Sequence, residues 1–241
     1  MPTIKARSFP GLRQALALTA LLAVALPSMA APMPEEQSPA WILRKQVDNI
    51  EIYTAPRAGS GFEAFKAVAI LKAPIENVMA VMINPESCEQ WVHNCSESYA
   101  VGQQDFHDRY AYSVNDMPWP VTDRDYVLRI RTRGEAGSGE IVMDMNATPD
   151  IRAQYSSRVR VDHSNTHYRL IPEGEQTRMI WIQHTDPNGA LPGWLVNSLI
   201  VDIPLKSIQA LEALAQQEQY RGYRLDWAND GNLKAVTRSQ P

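Results

Sequence analysis

From Glu97 to Thr185 apolar and polar residues alternate with a period of two, the signature of half-buried strands. The alternation predicts strands over Glu97–Val101, Arg109–Asn115, Asp125–Arg133, Glu140–Thr148, Ser157–Val161, His167–Ile171 and Thr177–Thr185. The turns VGQQD, GEAGSG and PEGEQ lie between them, and connections this short make antiparallel neighbours. Asn49–Tyr53 and Phe62–Leu71, on either side of TAPRAGSG, are two earlier strands, and Trp41–Asp48 fits a short helix or an extended lead-in. Pro74 opens a helix to about Ile83 on the spacing of Ile75, Val78, Met79 and Met82. After DPNGALPG, Trp194 to about Tyr220 reads as one long helix with Leu195, Leu199, Ile203, Ile208, Leu211 and Leu214 near one side, kinked at Pro204. The combination predicts an α+β fold: a strongly curved antiparallel sheet around one amphipathic terminal helix.

Successive side chains on a strand face opposite ways, so each strand has an inner and an outer set. From Arg124 the even positions Tyr126, Leu128 and Ile130 are the apolar set, which turns Arg129, Arg131 and Arg133 to water. Ile141, Met143 and Met145 form the apolar set of the next strand, and Tyr110, Tyr112 and Val114 that of the strand before. With Trp91, Trp119 and Trp194 nearby, this Met- and Tyr-rich interior suits an adaptable ligand-binding surface; an ordinary filled core has the same periodicity. Arg124 falls on the inner set at its end, and a charge inside a closed core costs several kcal/mol unless paired. Two readings stay open: Arg124 points into a cavity, with Asp105 or Asp108 as partner, or it is a strand-end residue paired with Asp123 or Asp125.

The ends and the composition narrow the setting. Lys5, Arg7 and Arg13 precede an apolar run of twelve, Ala15 to Leu26, and PSMAAP follows. That is the layout of a secretory signal peptide, residues 1–30, cut after Ala30, with export to the periplasm or beyond; an uncleaved anchor is the alternative. Residues 31–40 read as a linker and 41–220 as one domain, followed by a tail, 221–241, that a loosely packed end explains most simply. The chain of 241 residues carries 23 basic and 27 acidic side chains, and losing the leader removes only basic ones. An acidic chain without a basic cluster excludes nucleic acid as a partner class. The two cysteines, Cys88 and Cys95, favour a disulfide in an exported protein, on condition that a short helix beginning at Asn84–Pro85 ends near Trp91 so that the chain can turn back. Two free thiols are the alternative. A metal held with His93 lacks a fourth ligand at a suitable spacing.

DNIEIYTAPRAGSGFEAFKAVAILKAPIENVMAVMINPESCEQW, PWPVTDRDYVLRIRT and HTDPNGALPGWLVNSLI resemble, in this order along the chain, the START family of StAR-related lipid-transfer domains. The resemblance runs from about Trp41 to Tyr220. It implies a helix-grip fold and a hydrophobic tunnel that holds one lipid or other apolar molecule without a cofactor, and it places the arginine of the Arg124–Asp125 pair in that tunnel. The ligand-binding set expected is Arg124, Tyr110, Tyr112, Trp119, Tyr126, Leu128, Ile141, Met143, Met145, Leu195 and Leu199. The DPNGALPG loop, with Gly189 and Gly193, would open to admit cargo, and transient membrane contact is compatible with that role. The alternative is a cyclase- or hydrolase-like enzyme on the same scaffold, using Tyr110, Tyr112, His184 and Arg124. Against it, no nucleophile elbow, zinc-protease or phosphate-loop motif occurs.

Overall fold

The computed structural model describes residues 32–102, 104–189, 191–192, 195–196 and 198–239. Residues 1–30, where the signal peptide is expected, fall outside them, as do Gly193 and Trp194. The elements are β1 (Ile42–Val47), β2 (Ile50–Ala55), β3 (Ala64–Leu71), α1 (Ile75–Met82), a 3-10 turn at Pro85–Ser87, α2 (Cys88–Trp91), β4 (Cys95–Val101), β5 (Asp108–Asn115), β6 (Arg124–Gly134), β7 (Ile141–Ala147), β8 (Val159–Arg160), β9 (His163–Glu173), β10 (Gln176–Asp186), α3 (Ile203–Ala215), β11 (Tyr223–Trp227) and β12 (Leu233–Arg238). Trp41–Asp48 is thus a strand, and every strand expected from the alternation is present.

The main sheet runs β1-β2-β3-β10-β9-β7-β6-β5-β4 and is antiparallel throughout. Two-residue β8 joins the start of β6 in parallel. Because β3 pairs with β10 while the following strand, β4, lies at the far edge, the link that carries α1 and α2 crosses the sheet. α3 packs against α1, α2, β2 and β3. This is the curved sheet gripping a C-terminal helix that the pattern predicts.

Local chemistry explains the helix ends. Asn84 caps the turn at Pro85–Ser87 by accepting from the Glu86 amide. The chain reverses after Trp91 through Asn94, whose φ of 71° suits asparagine. Cys88 and Cys95 consequently meet as a disulfide, with their Cα atoms 6.0 Å apart. The terminal helix is shorter than expected: it ends at Ala215, where the Asn77 side chain donates to the Ala215 carbonyl. The polar run Gln216–Gln217–Glu218 beyond it offers no apolar face. At Pro204 the irregularity takes the form of a π turn, Ser198–Asp202. Pro204 is the second residue of α3 and follows the π turn directly, so the break in regular helical pairing sits where its N–H is missing.

The terminal segment is also not the loose end expected. β11 and β12 form a hairpin that packs on α1, and Leu233 and Val236 are buried in the main core. Residues 32–40 lie against the outer side of the sheet: the Glu36 carboxylate pairs with Arg169 at 3.0 Å, and the Trp41 indole donates to the Glu35 carbonyl. Replacing fully buried Leu233 by alanine should destabilise the whole domain by about 2–4 kcal/mol, read as a lower urea midpoint; an unchanged midpoint would mean that the hairpin is dispensable.

Candidate ligand cavity

Strand register sorts the concave face into rows. Ile52, Ala67, Trp181, Tyr168, Met143 and Thr132 face one another in sequence across six strands. One step along, the row is Thr54, Phe65, Gln183, Thr166, Met145, Ile130 and Arg109. The helices close over the sheet unevenly. Where α1 and α3 lie, Ile141, Met143, Met179, Leu170, Ile208 and Leu211 are fully buried in solid core. From the Phe65–Arg109 row toward the start of β6 the space is open. It is roofed by Met82, Ile83, Trp91 and Val92 and by Val196, Leu199, Ile200 and Ile203 at the entry to the last helix.

The cavity has a volume of ≈ 180 Å³. One water occupies about 10–15 Å³ on the same measure, so the space equals on the order of a dozen waters, well beyond a packing defect. Its walls are mainly apolar, and small side chains make the room: Ala111, Ser113, Ser98, Ser164 and Thr166 all face inward. A chain of hydrogen bonds crosses one side, from the Trp181 indole to Gln183 at 3.0 Å, from the Gln183 amide to Thr185 at 2.9 Å, and between Thr185 and Ser164 at 2.8 Å.

Five of the expected ligand-binding residues border this space: Tyr126, Leu128, Met145 and Leu199, and also Tyr110, although its ring turns outward beside Arg129. Burial pushes the Tyr126 hydroxyl up to about 12, so it is neutral. The other six do not. Ile141 and Met143 lie in the filled half of the interior, and Leu195 is buried away from the cavity. Trp119 is 91% exposed on the loop between β5 and β6. Tyr112 is on the opposite face of the sheet. Ser113 pairs with Tyr126 and Ala111 with Leu128, which sets the inner side of β5 as Arg109, Ala111, Ser113 and Asn115. Hydrophobicity pointed the wrong way here because the residues that leave a hollow are small or polar.

The Arg124–Asp125 pair is buried on two different faces. Arg124 does point inward, but each of its nitrogens holds a backbone carbonyl: Nε that of Pro187 at 3.1 Å, Nη1 that of Thr122 at 2.5 Å and Nη2 that of Asn188 at 2.9 Å. It straps the end loops together rather than lining the cavity, and neither Asp105 nor Asp108 pairs with it; Asp108 pairs with Arg129. Asp125, fully buried on the outer face, accepts both forks of Arg160 at 3.0 and 2.9 Å and the Tyr112 hydroxyl at 3.0 Å. Arg158 in turn donates to the Tyr112 oxygen at 2.7 Å and to Glu97 at 2.7 Å. Desolvation, with the Asp125 hydrogen bond, pushes the Tyr112 hydroxyl up to about 12. Val127, on the same side of β6 as Asp125 and Arg129, is buried beside Tyr112 and Val114 in a small second core.

His184 also lies on the outer side, bonded to the Ser60 hydroxyl at 3.0 Å and to Arg57 at 2.5 Å. Burial and then the Arg57 charge lower its pKa. Tyr110, Tyr112, His184 and Arg124 therefore do not converge on one point. Among the described residues on the cavity wall the cationic one is Arg109, which the pattern hid as the polar member of the set opposite Tyr110, Tyr112 and Val114.

With this geometry the chain can be compared with known proteins. The START domain profile matches residues 28–219. The chain belongs to the START domain family. An uncharacterised protein of Pseudomonas aeruginosa is 31% identical over 178 residues, 73% of this chain and 87% of that one. The solved fragment of a STAR-related lipid transfer protein from Xanthomonas axonopodis is 28% identical, with a TM-score of 0.67 over 74% of this chain and 99% of that one. Human StAR-related lipid transfer protein 5 shares the fold at 15% identity, with a TM-score of 0.68 over 76% of this chain and 90% of its own. The START fold, with its interior space, supports binding of a lipid or other hydrophobic ligand. The β11–β12 hairpin lies beyond the matched residues.

Replacing Arg124 with methionine should cost about 2 kcal/mol and speed amide exchange at Asn188 and Gly189; unchanged exchange there would remove its role as a strap. Asp125→Asn leaves the Arg160 guanidinium buried without its counter-charge, and should cost about 3 kcal/mol or more in a chemical denaturation curve.

Proposed function

We propose that this START protein takes up one lipid or similar apolar molecule in the cavity and carries it through the periplasm without altering it chemically. The observation that carries this reading is the hollow half of the interior, walled by apolar side chains that the fold leaves unmet. An acyl chain of about 15 methylenes gains roughly 12 kcal/mol on leaving water. A soluble carrier must return nearly all of that with a dry pocket. Membership of the START family and the lipid-transfer names of similar solved proteins support the same reading. The periplasmic setting is supported by the leader pattern and by the bridged cysteine pair, since disulfides persist in oxidising compartments.

Entry fits the end of the cavity near Pro187. Asn188 and Gly189 have positive φ angles of 53° and 72°, a tight corner that leads toward the last helix. The π turn just after it is the irregular part of the roof. Met117 lines the cavity from the loop that carries exposed Trp119. An indole so placed suits the interfacial region of a bilayer, which supports transient membrane contact as the loading step.

Ala111 lines the hollow, so Ala111→Phe should fill it while keeping the fold. Native mass spectrometry of the mature protein should show a co-purifying apolar molecule in the natural chain and at least tenfold lower occupancy in the variant. Unliganded natural protein that no added lipid protects from heat would end the carrier reading. Trp119→Ser should slow vesicle-to-vesicle transfer several-fold without changing occupancy in solution; an unchanged transfer rate would remove the loop from the membrane step.

A further inference from the structure

We propose that the cargo carries an oxyanion head group, a carboxylate or a phosphate, which Arg109 holds from the wall of the cavity; this rests on the carrier reading above. The described residues contain three arginines that are almost wholly buried: Arg109, Arg124 and Arg160. Arg124 is met by three carbonyls and Arg160 by both oxygens of Asp125. Arg109, 6% exposed, is incomplete. Its Nη1 donates to the Phe106 carbonyl at 2.7 Å and to the Thr132 hydroxyl at 2.9 Å. Its Nη2 has no acceptor, and it is the one buried side-chain polar atom so left among the described residues.

No described carboxylate forms an ion pair with Arg109 either. Among the described residues that line the cavity, Glu63 is the other charged side chain, and it pairs with Arg44. Asp105, the acid that acts on Arg109 through space, lies in an exposed turn where its Oδ1 accepts the His107 and Asp108 amides. Burial lowers the Arg109 guanidinium to about 10, still charged at neutral pH. A buried cation with a free donor is uphill until an anion joins it, and a guanidinium fork fits the two oxygens of a carboxylate or phosphate. A water would satisfy the donor but leave the charge.

The surroundings set the rest of the molecule. Ile130 and Met145 continue the row from Arg109, and Leu128 and Ala111 line the next. The site therefore asks for one anionic end and an aliphatic body, an ionised amphiphile rather than a neutral ring system or a zwitterion of balanced charge.

Displacement of a neutral fluorescent probe by dodecanoate, dodecyl phosphate, dodecanol and methyl dodecanoate tests this in the mature protein, its Arg109→Met variant and its Arg109→Gln variant. The natural chain should prefer at least one of the two anions over the alcohol and the ester by about tenfold or more, and the preferred anion separates a carboxylate from a phosphate cargo. Both variants should lose that preference while binding the alcohol within about twofold of the natural chain. Equal binding of all four by the natural chain overturns the oxyanion assignment and leaves the carrier reading standing. A preference that survives in a folded variant overturns the role of Arg109. Failure of every compound to displace the probe, with no protection against heat, overturns both. The preference of the natural chain needs no variant, so poor folding of either substitution does not remove the test.

Discussion

The interior of this protein is held open by a mismatch between the width of its sheet and the reach of its helices. Nine strands curve around a space that α1 and α3 fill on one side only. On the other side the sheet contributes alanine, serine and threonine where a filled core would require leucine or phenylalanine. Large side chains there would collapse the void, because interiors pack to near-crystalline density whenever their residues can meet. The hollow is thus written into side-chain size, and the stability for the whole domain comes from the filled half, from the disulfide and from the hairpin that follows the last helix.

Charge is used in three distinct ways inside the same sheet. Arg160 and Asp125 neutralise each other on the outer face and tie β8 to β6. Arg124 neutralises nothing; it gathers carbonyls from two end loops, as a charged donor does well at close range. Arg109 sits in the wall of the void with part of its bonding capacity unused. Three buried arginines of similar exposure thus have unlike partners, and partner count rather than burial sets Arg109 apart from the two structural ones.

The sequence was most legible where periodicity and turn chemistry act alone. The strands, the order of elements, α1 and the conditions for the Cys88–Cys95 bridge followed from alternation, from Pro74 and from Asn84–Pro85. Sidedness was legible on β6 and β7 but not on β5. There Tyr110, Tyr112 and Val114 form the apolar list, but Tyr112 and Val114 are buried in a second small core outside the sheet that no single strand announces, and the Tyr110 ring lies beside Arg129. Because Arg109 shares the other list with Ala111 and Ser113, it read as a wet surface residue. Arg124 was legible as inward but not in its role, since its partners are backbone carbonyls from distant loops. The tail was misread because the apolar positions of two short strands separated by a polar turn look like sparse hydrophobicity until α1 is there to receive Leu233 and Val236.

The second core on the outer face has a mechanical consequence. Arg152 is ringed by Tyr99, Tyr112 and Tyr155, with ring centres 4.9–5.3 Å from the guanidinium carbon, and these residues brace β4 and β5 from behind, next to the Arg160–Asp125 lock. One wall of the chamber is therefore stiff. On the opposite wall α2 is tied to β4 by the Cys88–Cys95 bridge, but α3 and the turn before it are held by single bonds, such as the His93 amide to the Ser207 hydroxyl and Lys45 to Asp202. Any swelling to accommodate a bulkier guest falls on the helical side, so the range of molecules accepted is governed by how far that ceiling lifts, not by how far the sheet bends.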